Sequence, residues 1–102
     1  MQPEQLLKRM NSQRPPIVID VRTGFEFKRG HIPGAIHAPT WKILLRLDKI
    51  PSDSNSELVL TCELGPRARI VKSLLGAFGY RNVTLLEGHM SRWRQAGHPL
   101  KS

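Results

Sequence analysis

Residues 57–69 read ELVLTCELGPRAR, and the pattern changes within this stretch in a way that decides the fold. Its first part, residues 57–61, is an apolar run typical of a buried parallel strand. Gly65 and Pro66 then break the run, and a proline suits the first position of a helix. That helix is predicted over residues 66–78, because Gly79 supplies a stop.

Apolar runs of the same kind at residues 17–21 (IVIDV) and 82–86 (NVTLL) predict two more strands, and residues 35–38 predict a short one. Further helices are predicted over residues 3–10, 23–29, 40–47 and 90–96, the third of them capped by Thr40. This alternation indicates an α/β domain around a parallel sheet. The residues expected on the buried side of the helix at 66–78 are Ile70, Val71, Leu74, Leu75 and Phe78.

The composition is that of one ordinary globular domain: 102 residues, 39% hydrophobic and 24% charged. The single cysteine excludes an internal disulfide, so nothing indicates an oxidising compartment and a cytoplasmic location is expected. Residues 1–16 lack the apolar core of a signal peptide. No segment approaches the ~20 apolar residues that span a bilayer.

The chain is strongly basic, with 16 Lys and Arg against 8 Asp and Glu and a formal charge of +8. Such a charge suits nucleic acid, anionic lipid or a small anionic substrate. The basic residues are spread from Lys8 to Lys101 without a run, and 6% aromatic residues are too few for an obvious base-stacking platform. We therefore expect a surface that attracts small anions, and neither nucleic acid nor a membrane as partner.

Cys62 follows a predicted strand directly, at the edge of the sheet where ligands bind in such domains. A lone cysteine is usually a small buried apolar residue, but loop residues follow this one. Loop N–H groups and the positive end of the next helix can together hold an anion. Arg67 and Arg69 stand in the first helical turn, where a cation opposes the helix dipole unless an anion is present. The same field favours a thiolate, so Cys62 is the predicted nucleophile.

Phosphate ester hydrolysis and sulfur transfer both suit a cysteine nucleophile beside an anion site. Cysteine phosphatases have an arginine six residues after the cysteine, whereas Ala68 stands there in this chain, between Arg67 and Arg69. The loop is thus one residue too short for phosphate, and a smaller ring fits a single sulfur atom carried on Cys62. Loop length disfavours a phosphatase or an arsenate reductase.

The chain resembles the single-domain rhodaneses, a family of sulfurtransferases, in four motifs that occur in the family's order. The motif Cys-x-x-Gly-x-Arg matches residues 62–67 (CELGPR), and Asp-x-Arg matches residues 20–22 (DVR). The family's Glu-(aromatic)-x-x-Gly-His-Ile-x-Gly-Ala matches residues 26–35 (EFKRGHIPGA). Its C-terminal pattern matches Gly79-Tyr80, Leu86-Glu87-Gly88, Trp93 and Gly97-His98-Pro99.

The resemblance implies a rhodanese-like α/β fold: a small parallel sheet of about four to five strands with helices on both faces. It implies one domain over residues 1–102, in which residues 1–16 are an N-terminal helix and lead-in and residues 17–100 are the motif-bearing core.

The resemblance also implies a mechanism. The Cys62 thiolate would take the outer sulfur of a donor such as thiosulfate and hold it as a persulfide, with Arg67 and Arg69 guiding the anionic donor. A thiophilic acceptor, cyanide in an assay or a thiol or protein in the cell, would remove that sulfur, and no metal or organic cofactor is required. The loop that binds the persulfide, through N–H groups from all but the proline, would comprise Glu63, Leu64, Gly65, Pro66, Arg67 and Ala68.

Several residues outside the loop have expected structural roles. Asp20 and Arg22 are interpreted as an internal ion pair or brace in preference to lining the site, Glu26 as a supporting residue of its motif, and His31 as a structural hydrogen-bonder in preference to a base. His37, His89 and His98 lack metal-ligand spacing with Cys62. Trp41 and Trp93 are expected in the core or in a pocket wall.

The chain departs from the family pattern at two positions. His89 follows Gly88 where the family often has a second glycine, and His37 stands where asparagine often follows the Gly-Ala segment. Neither is expected to touch the cysteine loop. Glu63 subtracts positive charge beside the thiol, which we interpret as steering the site from thiosulfate towards a thiol or protein. The alternative function is a non-enzymatic rhodanese-like module that docks a partner or senses redox state through Cys62.

Overall fold

The computed structural model describes residues 1–45 and 50–102, and its helices and strands alternate as predicted. The strands are β1 (Ile17–Asp20), β2 (Ile36–His37), β3 (Leu58–Thr61) and β4 (Val83–Leu85). The helices are α1 (Pro3–Met10), α2 (Gly24–Arg29), α3 (Thr40–Leu44), α4 (Pro66–Ala77) and α5 (His89–Gln95).

All neighbouring strands pair in parallel, in the order β2-β1-β3-β4, which confirms the predicted α/β fold. Asp20 at the end of β1 lies opposite Thr61 at the end of β3. The chain connections lead outward in opposite directions from these two central strands, and this leaves a crevice at their carboxyl ends. The segments that follow Asp20 and Thr61 therefore emerge side by side at this crevice.

Helices cover both faces of the sheet, as predicted. Alternate residues of β1 and β3 point to opposite faces, because successive side chains of a strand do so. The buried cluster on the face of α3 and α4 includes Ile19, Leu58, Leu60, Ile43, Val71 and Leu75. The cluster on the face of α1 and α5 includes Val18, Val59, Leu6, Met90 and Trp93.

The predicted buried side of α4 is wrong at two residues. Ile70 is 53% exposed and Phe78 is 37% exposed. The buried stripe instead contains Ala68, Val71 and Leu75, and a rotation of about 100° per residue turns Ile70 to the opposite side. The helix also ends at Ala77, so Phe78 lies beyond the last turn.

The start of α3 also differs from the prediction. Pro39 occupies the N-cap position, and the hydroxyl of Thr40 donates to the carbonyl of Val21 at 2.9 Å instead of capping the helix. Trp41, expected to be covered, is 53% exposed, whereas Trp93 is fully buried. The end predicted near residue 47 lies outside the described residues. Among residues 1–45 and 50–102, no helix is long and apolar enough to cross a membrane.

Candidate active site

Cys62 lies at the crevice, directly after β3, and its side chain belongs to the buried cluster beneath α3 and α4. The backbone N–H of Gly65 donates to Sγ of Cys62 at 3.0 Å. Gly65 has a φ of 127°, in the left-handed region where a side chain would be strained. The loop therefore curls back over the thiol and aims a backbone donor at the sulfur.

The remaining residues predicted for the loop occupy distinct environments. Leu64 and Pro66 are exposed, Glu63 is half-buried, and Ala68 is buried against the core. Pro66 is the first residue of α4, as predicted. Gly65 supplies the N–H that reaches Sγ, and the contribution of the other loop amides to a bound sulfur stays a prediction.

Arg67 is paired within the protein. Its Nη1 donates to Oε1 of Glu26 at 2.6 Å, and its Nη2 donates to Oε2 at 3.0 Å. This bidentate ion pair links the first turn of α4 to α2, and the carboxylate offsets the cation that opposes the helix dipole. Arg69, in the same turn, is exposed. Steering of an anion by Arg67 and Arg69 stays a prediction.

Glu26 has a second role at the start of α2, as one half of a capping box. The hydroxyl of Thr23 accepts the N–H of Glu26 at 3.3 Å, and Oε1 of Glu26 accepts the N–H of Thr23 at 3.0 Å. The hydrogen bonds from Arg67, reinforced by those from Thr23, hold the pKa of Glu26 at about 2 against an ordinary 4.5. The carboxylate is therefore charged throughout the physiological range of pH.

We expect Glu26→Gln to destabilise the protein by about 1 kcal/mol at neutral pH, because Arg67 loses its charged partner at a partly exposed site. Since the folded-state pKa is depressed, the stabilisation is present above the ordinary pKa of 4.5 and is lost as the pH falls towards about 2. Urea unfolding of both proteins at about pH 7 and about pH 3 measures this difference. Glu4→Gln, at an exposed carboxylate of α1, is the control. An equal deficit at both pH values would contradict the prediction.

Arg22 is a buried centre of hydrogen bonds beside the cysteine loop. Its Nε and Nη2 donate to the carboxylate of Asp20 at 3.0 and 2.9 Å, and both side chains are almost completely buried. Nη2 also donates to the carbonyl of Gly30 at 2.7 Å, and Nη1 donates to Oε1 of Glu63 at 3.3 Å. Asp20 and Arg22 thus form the predicted internal ion pair, and Arg22 links the end of β1 to the end of α2 and to the cysteine loop.

Glu63 faces a cleft of about 350 Å³ beside the loop. Its two carboxylate oxygens bind Arg22 and Arg94, so the charge that it brings to the loop is offset within the protein. The residues that line this cleft are Arg22, Phe25, Glu26, Arg29, Gly30, Glu63, Arg94 and Leu100.

His31 and His37 are placed by backbone carbonyls. Nδ1 of His31 hydrogen-bonds the carbonyl of Phe27 at 2.8 Å, and the two rings stack with centroids 3.7 Å apart. Nε2 of His37 hydrogen-bonds the carbonyl of Arg22 at 2.8 Å. Both rings pack on Phe27, so they fix the end of α2 against the sheet. Across the described parts of the chain, no three His, Cys, Asp or Glu side chains gather into a metal site.

The expectation that His89 does not touch the cysteine loop is wrong. His89 is buried, and its Nδ1 accepts the backbone N–H of Cys62 at 3.2 Å. The ring also packs closely on Gly65, because a Cβ at that residue would lie only 3.1 Å from Nε2 of His89. The signal in the sequence was the departure itself, a bulky polar residue at a position where glycine is frequent.

Comparison with known proteins gives a consistent result. A family model described as the rhodanese-like domain matches residues 2–96. A sulfurtransferase of Allochromatium vinosum is 31% identical over 97 residues, covering 95% of this chain and 89% of that protein. The thiosulfate sulfurtransferase GlpE of Haemophilus influenzae is 30% identical over 98 residues, covering 96% and 90%. A thiosulfate:glutathione sulfurtransferase of Saccharomyces cerevisiae is 30% identical over 104 residues, covering 89% and 75%.

Solved structures show the same fold. A rhodanese-like domain protein of Staphylococcus aureus superposes with a TM-score of 0.84 at 28% identity and covers 100% of this chain and 97% of its own. A rhodanese-related protein of Thermoplasma volcanium superposes with a TM-score of 0.85 at 23% identity, covering 99% and 95%.

Proposed function

The chain belongs to the rhodanese-like domain family, and from this we propose that it is a sulfurtransferase that carries sulfane sulfur on Cys62. The observation that carries the proposal is the Gly65 N–H aimed at Sγ of Cys62 at 3.0 Å, in a strand-to-helix loop. A backbone donor at that point stabilises negative charge on sulfur without any cofactor. Relatives named as sulfurtransferases support the general activity.

Thiosulfate is the donor we propose, with a thiol or a protein as the cellular acceptor and cyanide as the acceptor in an assay. The Cys62 thiolate attacks the outer sulfur of thiosulfate; the sulfur–sulfur bond of the donor breaks, and sulfite leaves with its electron pair. The acceptor then attacks the terminal sulfur of the Cys62 persulfide, and the Cys62 thiolate leaves. Covalent catalysis thus divides the transfer into two displacements. The names of two relatives, which include thiosulfate and glutathione, support this choice.

Access to the thiol requires movement, because Cys62 has no exposed surface. Gly65, whose N–H contacts Sγ, is one of the residues packed against the thiol. A donor therefore reaches the sulfur only after residues around Cys62 move, and such motions limit the turnover of many enzymes. We also propose a cytoplasmic location, in accord with a lone thiol that forms no internal disulfide.

Mass spectrometry of the intact protein tests the proposal. Incubation with thiosulfate should add one sulfur atom to the protein, and subsequent cyanide should remove it with release of an equal amount of thiocyanate. A module that only docks a partner or senses redox state through Cys62 forms no such adduct. An unchanged mass after thiosulfate, together with no thiocyanate, would therefore reject sulfur transfer.

We expect Glu63→Gln to raise kcat/KM for thiosulfate about two- to fivefold, because one negative charge beside the thiol is removed while the amide still binds Arg22 or Arg94. The effect should shrink in about 0.5 M salt, where charges are screened. Glu87→Gln, at an exposed carboxylate before α5, is the control. Rates with thiosulfate no better than those of the unmodified protein would count against an electrostatic role for Glu63.

A further inference from the structure

His89 adopts a backbone conformation that its side chain does not favour. Its φ is 52°, and among the described residues it is the single non-glycine residue with a positive φ. A non-glycine residue in the left-handed region costs about 1–2 kcal/mol. Gly88 before it is also left-handed, with a φ of 71°. A second glycine, at position 89, would relieve the strain. Strain retained at one residue beside a reactive group points to a role for the side chain.

The imidazole of His89 supports the cysteine loop at two points. Nδ1 accepts the N–H of Cys62, and Nε2 and Cδ2 lie 3.1 and 3.3 Å from the position that a Cβ of Gly65 would occupy. The backbone of α5 adds two contacts, since the N–H groups of Met90 and Ser91 donate to the carbonyls of Cys62 and Glu63 at 3.0 and 3.2 Å. The ring therefore holds the residue that carries the thiol and packs on the residue whose N–H reaches Sγ.

This arrangement needs the neutral ring. A neutral imidazole that accepts at Nδ1 carries its hydrogen on Nε2, whereas a protonated ring has a hydrogen on both nitrogens and cannot accept. Protonation would set the N–H of the ring against the N–H of Cys62. Burial, followed by the positive charges of Arg69 and of the amino terminus, lowers the pKa of His89 below its ordinary 6.5. At neutral pH the acceptor is therefore available.

The groups around the ring reinforce this state. Among the described residues, the cysteine loop presents Cys62, whose backbone N–H binds the ring. Helix α4 presents Arg69, and the chain start presents the Met1 ammonium, which donates to the carbonyl of Leu85 at 2.8 Å. Arg92 of α5 packs beside Gly88. The Glu63 carboxylate binds Arg22 and Arg94. Arg69 and the Met1 ammonium oppose a further positive charge on the ring.

We propose that His89 is a positioning residue for sulfur transfer: in its neutral form it holds the cysteine loop, through Nδ1, in the geometry that aims the Gly65 N–H at Sγ, and on protonation it releases the N–H of Cys62. This inference rests on the proposed function, because it assigns a control of loop geometry to the same thiol. The residue acts through the backbone of Cys62 and Gly65 and does not itself form a bond to sulfur.

The variants His89→Gly and His89→Asn distinguish the effect of the hydrogen-bond acceptor from the effect of the positive φ at this position. Both residues tolerate positive φ, but only the asparagine side chain offers an oxygen near the position of Nδ1. We expect His89→Gly to lower kcat/KM about three- to tenfold at neutral pH, the value of one hydrogen bond, because the N–H of Cys62 loses its acceptor. His89→Asn should recover most of that loss.

The backbone amide of Cys62, followed by NMR between about pH 4.5 and 8, gives a readout independent of turnover. Its chemical shift should follow the protonation of His89 in the unmodified protein and should lose that step in His89→Asn and His89→Gly. His37→Asn, at the other departure from the family pattern, should keep the step. An amide titration unchanged in both His89 variants, or kcat/KM of His89→Gly equal to that of the unmodified protein, would overturn the proposal. Absence of sulfur transfer in every protein would reject the proposed function, while the amide titration would still decide the role of His89.

Discussion

Cys62→Ala is expected to abolish sulfur transfer and to lower kcat/KM by about a thousandfold or more. The proposed mechanism stores the sulfur in a covalent bond to this side chain, and Cys62 is the single cysteine of the chain, so no second thiol can substitute. The mass increase after thiosulfate should disappear completely. Thiocyanate formation and the mass of the intact protein after thiosulfate measure both effects on one sample.

Cys62→Ser separates the chemistry from the packing. Its hydroxyl can accept the Gly65 N–H that reaches Sγ in the unmodified protein, but a neutral hydroxyl is a poor nucleophile without a general base. The serine variant should therefore unfold near the same urea concentration and be equally inactive. If either variant kept more than about a tenth of the rate with thiosulfate, the thiol of Cys62 would not be the carrier.

The strands and helices could be predicted closely, because each carries a strong local signal. The apolar runs that became β1, β3 and β4 are continuous, and α1 begins and ends where Pro3 and Asn11 indicate. The length of the loop from Cys62 to Gly65 likewise follows from counting residues. These features depend on neighbours in sequence, so a single chain is enough to find them.

Features that depend on distant residues could not be predicted. The Glu26–Arg67 pair joins residues 41 positions apart, and the bond from Cys62 to His89 joins residues 27 apart. Both require that α2 and α5 be brought to the crevice by the order of the strands, which the sequence alone did not supply. The exposure of Trp41 has the same cause, because only the packing of α3 decides which of its sides meets the core.

The largest effect on stability is expected for Arg22→Met, which should lower the free energy of unfolding by about 3–5 kcal/mol. The substitution removes the cation from a pair in which both side chains are almost completely buried, and it leaves the Asp20 carboxylate without its partner. It also removes the hydrogen bonds that Arg22 donates to the carbonyl of Gly30 and to the carboxylate of Glu63. Because the free energy of unfolding of a small domain is about 5–15 kcal/mol in total, this loss would leave the protein only marginally stable.

The cost should come from the stranded carboxylate more than from the lost attraction, because an unpaired buried charge is what destabilises an interior. Asp20→Asn combined with Arg22→Met should therefore be more stable than Arg22→Met alone, and urea unfolding of the two single variants and the double variant measures this coupling. Arg81→Met, at an exposed arginine, should change stability by less than about 0.5 kcal/mol. A deficit of less than about 1 kcal/mol for Arg22→Met, or a double variant no more stable than that single variant, would show that the carboxylate finds water and that the pair contributes little.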